Sequence, residues 1–217
     1  MTEVARSSPG SDRRNGRDTN EFARVVNLSD AVFAIAMTLL VLTVDVPAVP
    51  AEGLAAALRA DLPQLGAYAL AFALVASQWY AHRRLFQRLA WTEAGLTVLN
   101  LVYLGAVALV PFPTSMLGSY PTTSTAVAPF LALFVVLGLC YLGLILRAQS
   151  VGAWTEPLPP KVFRRVVSAF GVQAGTLLLG IAVAFWLPLL ALAIAAASSL
   201  PAVAILRGAP APYRSWF

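Results

Sequence analysis

Residues 24–44 read RVVNLSDAVFAIAMTLLVLTV, with an arginine and an aspartate at the mouth of a long apolar run. A helix needs about 20 mostly apolar residues to cross a bilayer, and this run, taken over 25–46, is long enough. Five more such runs follow, near 64–86, 94–116, 125–147, 163–186 and 187–207. Composition agrees: 59% of the 217 residues are hydrophobic and 12% charged, with a mean hydropathy of +0.76. A soluble domain is about half apolar and a quarter charged. The expected fold class is an all-α membrane protein with six transmembrane helices. Pro47 and Pro50 close the first span, Pro111 and Pro113 the third, and Pro157, Pro159 and Pro160 stiffen the linker before the fifth. The last two spans meet at Trp186-Leu187-Pro188, which predicts a tight helical hairpin.

The basic residues test this division, because an even number of spans places both termini on one side. Fourteen of the fifteen Lys and Arg then share that side, and only Arg59, beside Glu52 and Asp61, falls on the other. Five or seven spans would scatter them. The bias predicts a multi-pass membrane protein with both termini cytoplasmic. The net charge of +5 then reflects orientation in the membrane, and no nucleic-acid partner is expected. Residues 1–22, polar and Gly/Ser/Arg-rich, read as a disordered cytoplasmic tail. They are no signal peptide, since the apolar run starts late and continues for a full span. Residues 23–208 form the six-helix domain and 209–217 a cytoplasmic tail. EGLAAALRADL, residues 52–62, is too short to span and reads as a helix lying outside the bilayer.

On a helix turning 100° per residue, Ile35, Leu39 and Leu42 fall within about 40° of one another, and Leu28, Val32 and Val46 extend the stripe. Spacing alone leaves a packing seam or a pore wall open, because every apolar helix carries such stripes. Asp30 lies about 140° round from Ile35 and is expected to point into the bundle. A carboxylate at that depth needs a partner, unless it caps the helix start together with Asn27 and Ser29. Thr38, about 60° from Ile35, offers its hydroxyl either to an ion or back to its own helix. His82 is the sole histidine, and Asn100, mid-span, needs hydrogen-bond partners. Glu93, Asp45 and Asp61 near span ends read as solvated loop charges. Cys140, the only cysteine, reads as a small buried hydrophobe.

Arg24-x-x-x-Leu28-Ser29-Asp30 followed by AVFAIAMTLLVL resembles the opening signature of the transmembrane protein 175 family of potassium channels, Arg-x-x-x-Phe-Ser-Asp, with Leu28 in place of the phenylalanine. The likeness continues in Trp79, His82 and Phe86, and in Leu99-Asn100-Leu101 through Val110-Pro111-Phe112. The resemblance implies a homotetramer whose first helices line a central pore, with Ile35 at the constriction and Leu39 and Leu42 as further apolar layers. It implies K+ as the permeant ion, passing Ile35 and Thr38, with no cofactor and no fixed metal site. It also implies that Arg24, Asp30 and His82, with Trp79 or Asn100, form a polar cluster that holds the pore helix, beside Ser29 of the signature. The chain has no Thr-Val-Gly-Tyr-Gly loop, so a carbonyl-lined filter is not available from that motif. A ring of isoleucines instead makes a dry constriction that gates by dewetting. Potassium sheds water more readily than sodium, so such a ring predicts modest potassium selectivity.

The alternative is a secondary transporter of a cation or small solute, which calls for a midplane site, broken helices and often internal repeats. The sequence shows neither a repeat nor a midspan carboxylate. An enzyme is not expected: there is no His-Glu-x-x-His, and no Gly-x-Ser-x-Gly with a partner histidine.

Overall fold

The computed structural model describes residues 15–208 and 210. The expected tails at 1–14 and 211–217, with residue 209, lie outside the described residues. Helix α1, Asn20–Leu39, starts where Thr19 accepts the Phe22 N–H at 3.3 Å and Glu21 meets the positive end of the helix dipole. Residues 20–22, expected within a disordered tail, are therefore helix. Just before them, β1, Asn15–Gly16, pairs antiparallel with β2, Trp91–Thr92. Arg17 N–H adds a bond to the Ala90 carbonyl at 2.9 Å, and Ala90 N–H donates to Ala153 at 2.8 Å. Two connections distant in sequence thus anchor the chain ahead of α1.

After Leu39 the helix tightens into a 3-10 turn, Leu40–Thr43, and the chain then runs non-helically past Pro47 and Pro50. Next come α2, Leu54–Ala60, and α3, Leu62–Gln87, bent by 48° to each other. Helices α4, Ala94–Ala108, and α5, Pro111–Ser119, together make one span-length segment. Pro111 and Pro113 thus interrupt the third span rather than close it. A proline in a first helical turn gives up an N–H that would be unpaired anyway, so helix resumes there. Helix α6, Ser124–Val151, ends at Gly152, whose φ of +67 is the left-handed conformation glycine adopts without strain. Helix α7, Pro160–Ala184, is followed by α8, Pro188–Ala197, and α9, Ser199–Arg207. The break at Ser198 falls one turn before Pro201, which cannot donate to the Ala197 carbonyl.

Five of these segments are long and apolar enough to cross a membrane, and the bent α2–α3 pair makes a sixth. The chain is a multi-pass all-α membrane protein, apart from the two-residue strands. Helix α6 is the scaffold: α4, α5, α7 and α8 pack on it, while α1 packs on α3 and α4. Buried Phe33, Tyr103, Phe130 and Tyr141 fill the centre. Val98, Leu101, Leu139, Leu178 and Leu179 point outward, where hydrocarbon is their natural neighbour.

Candidate functional site

Helix α1 has two unlike faces. Ser29, Phe33, Ala36 and Leu40, spaced four, three and four residues apart, are buried against α3 and α4. Ile35, Leu39 and Leu42 stand 57%, 43% and 74% exposed, and Thr38 is exposed with them. The 3-10 turn preserves the stripe, because residues three apart eclipse at three residues per turn and Leu42 stays in line with Leu39. Val32 departs from it and packs partly buried against the core. The protomer therefore leaves this stripe uncovered. Thr38 Oγ donates to the Ile35 carbonyl at 2.9 Å, so its proton is committed to its own helix. Its lone pairs, the part a cation uses, still face outward.

The polar cluster forms, but with a different membership. Ser29 Oγ donates to the Val25 carbonyl at 2.8 Å. With its proton spent there, it accepts from Asn100 Nδ2 at 2.9 Å. That fixes the Asn100 amide with Oδ1 toward His82 Nε2, 2.7 Å away, and the imidazole must carry its proton on Nε2 to donate. A one-directional chain thus runs from His82 on α3 through Asn100 on α4 to Ser29 and the α1 backbone. All three side chains are buried, and His82 is 2% exposed. The imidazole stacks on Phe86 with ring centres 4.4 Å apart and lies parallel to Tyr103 at 5.6 Å. Phe33 of α1 packs tilted against the imidazole and Tyr103, with ring centres 5.6 and 5.9 Å away. The ring is a packed core element, although Arg83 and Arg84 follow it directly in the chain.

Asp30 is not in the protomer's interior. Helix α1 begins ten residues earlier, so Asp30 is not a cap either. It accepts the Trp79 indole N–H at 2.9 Å on the exposed side of the α1–α3 contact. The Arg83 guanidinium lies 5.7 Å above the Trp79 ring. Arg24 is exposed and bonds no other described side chain, so it stands outside the cluster it was expected to join.

Glu93, expected as a solvated charge, is buried. Its carboxylate accepts the Gly95 and Leu96 N–H groups at the start of α4 and the Arg147 Nε–H at 2.8 Å. A Cβ on Gly95 would sit 2.7 Å from Glu93 Oε1 and 3.0 Å from Arg147 Nε, so any other residue there would push the ion pair aside. The Arg147 hydrogen bond, helped by the two backbone donors and opposed by burial, holds the Glu93 carboxyl below its ordinary value of 4.5. A carboxyl depressed on folding contributes stability above its unfolded value and loses it as pH falls through the folded value. Thermal unfolding followed against pH is expected to show wild-type stability falling below about pH 4.5. Glu93→Gln should be less stable at neutral pH and show a flatter acid limb.

Phe33, Tyr103, Tyr141 and the Glu93–Arg147 pair are structural residues that sequence reasoning missed. Among the described residues no group of three or more His, Cys, Asp or Glu side chains is placed to hold a metal ion.

The family model described as the endosomal/lysosomal potassium channel TMEM175 matches residues 24–111, a stretch that contains every candidate residue above. A potassium channel of Streptomyces collinus is 34% identical over 171 residues, covering 75% of this chain and 83% of the relative. The crystal structure of a lysosomal potassium-selective channel TMEM175 homolog from Chamaesiphon minutus superposes with a TM-score of 0.72 at 26% identity, over 86% of this chain and 97% of that one. The endosomal/lysosomal proton channel TMEM175 of Mus musculus is 27% identical over 128 residues, 58% of this chain and 26% of that longer protein. With 83% of the Streptomyces collinus channel covered at 34% identity, and the family model and the fold in agreement, the chain belongs to the TMEM175 family of channels.

Proposed function

We propose that the protein is a potassium channel that works as a homotetramer in the cell membrane with both termini cytoplasmic. Four α1 helices surround the axis, Ile35 makes the constriction, and Leu39 and Leu42 form the next apolar layers. The observation that carries this reading is the uncovered stripe on α1. A helix whose other face is locked to α3 and α4 by the His82–Asn100–Ser29 chain leaves Ile35, Thr38, Leu39 and Leu42 for neighbouring copies and the ion path. A pore wall must be held rigidly from behind, and the buried chain does that.

An ion crossing a ring of four isoleucines loses much of its water without carbonyl replacement. Potassium is favoured over sodium by its smaller dehydration cost, and the selectivity is modest. The Mus musculus relative is named a proton channel, but the exposed stripe here carries no titratable side chain. Potassium is therefore the better reading for this chain.

Purified protein in vesicles is expected to pass potassium down its gradient with no co-substrate, faster than sodium, at a rate that does not saturate with concentration as a carrier's does. Flux that saturates and requires a coupling ion would instead establish the transporter.

A further inference from the structure

Helix α3 does not pack along α7 or α9, and between them lies a cavity of about 410 Å3. That volume is in the range of ligand pockets. Its walls are mostly apolar, with Ala81 of α3, Phe170 of α7, and Val203 and Leu206 of α9, interrupted by the uncharged polar side chains of Ser77, Gln78, Gln173 and Ser199. Its rim is basic. Arg84 sits in the last turn of α3 and Arg207 ends α9, so both lie at the same membrane surface, and both line the cavity. Among the described residues no carboxylate lines it.

The rim is prearranged. Arg84 lies 4.4 Å over the Tyr80 ring and donates to its hydroxyl at 2.8 Å, which fixes the guanidinium's direction. Arg165 of α7 reaches the Gly208 backbone beside Arg207, so closely that a Cβ there would lie 2.6 Å from its Nη1. With Lys161 and Arg164 it continues the basic surface into an open basin of about 480 Å3. Among the described residues, Lys161, Arg164, Arg165 and Arg207 form no ion pair.

A second cleft of about 400 Å3, walled by Leu70, Leu117, Leu189 and Leu192, carries no charged residue at all. Both clefts suit hydrocarbon, but only the first adds recognition of a negative headgroup. Basic pockets between transmembrane helices, at the surface where Lys and Arg collect, suit anionic phospholipid headgroups. Inorganic phosphate would gain nothing from the apolar walls. We infer that the cleft between α3 and the α7–α9 hairpin binds an anionic phospholipid, its phosphate at Arg84 and Arg207 and an acyl chain along Phe170 and Val203. This does not depend on the pore reading.

The test is native mass spectrometry of the full-length oligomer with phosphatidylglycerol and phosphatidylcholine of identical chains, with glycerol phosphate as competitor. Phosphatidylglycerol is expected to be retained severalfold more than phosphatidylcholine. Arg207→Gln, an exposed position, should reduce that preference about fivefold, as one arginine near an anionic surface predicts. Val203→Trp should fill the chamber and lower retention of both lipids while the oligomer stays intact. Equal retention of the two lipids by wild type, a preference unchanged in Arg207→Gln, or retention of both lipids unchanged in Val203→Trp overturns the proposal. Complete displacement by glycerol phosphate also overturns it, since the site then reads an anion and not a lipid.

Discussion

Replacing Ile35 with asparagine is expected to raise potassium flux severalfold and bring the potassium-to-sodium ratio close to unity. The side chain stands on the uncovered face of α1 and makes no essential contact within its own protomer. Such an exchange is expected to change folding stability by only about 0.5 kcal/mol. Four amides in place of four branched hydrocarbons would hold water in the ring and abolish the dewetting barrier. They would also supply oxygen ligands to both ions, erasing the dehydration difference on which the modest selectivity rests. Leu101→Asn, on the outward face of α4, should leave the flux ratio unchanged. Vesicle flux in potassium and then in sodium measures all three proteins alike.

The second large effect is expected at Asn100. Leucine there removes two buried bonds and strands the His82 Nε2–H at 2% exposure, while Ser29 keeps its donor paired to Val25. An unpaired buried donor costs about 1–3 kcal/mol, so a loss of about 2 kcal/mol is expected. His82→Phe keeps the ring contacts with Phe86, Tyr103 and Phe33 but strands Asn100 Oδ1 instead, and should cost less. The combination His82→Phe with Asn100→Leu should recover part of the loss, because both partners become apolar together. Denaturant titration of the purified oligomer measures the cycle. Simple addition of the two single losses would mean that the bond does not form. Flux is expected to fall with stability in Asn100→Leu, since α1 then loses its link to α3 and α4.

The membrane fold was legible because it rests on run length and on the placement of arginines, both readable along one chain. The proposal that the α1 stripe lines a pore starts from resemblance, since Ile35, Leu39 and Leu42 have the spacing of any packing seam, and the structure adds only that the protomer leaves them uncovered. Ser29, His82 and Asn100 were visible because polar groups in apolar spans need partners, but the sequence does not say which partners. Arg24 sits in the signature yet points outward, while Asp30 pairs with Trp79 on the surface. Tyr103 and Phe33 were hidden because an aromatic side chain in an apolar helix leaves no periodic mark. The Glu93–Arg147 pair spans 54 residues, and the β1–β2 contact joins chain segments as distant. Long-range pairs of this kind follow from tertiary geometry alone.

The proposed conduction path runs between four copies of the α1 stripe. Single-channel recording of wild type and Ile35→Asn in planar bilayers under a potassium/sodium gradient tests it most directly. Wild type should give unitary currents with a potassium-favouring reversal potential, and Ile35→Asn larger currents that reverse near zero. Wild-type unitary currents whose size and reversal potential are untouched by the substitution would contradict it and place the pore elsewhere in the protein.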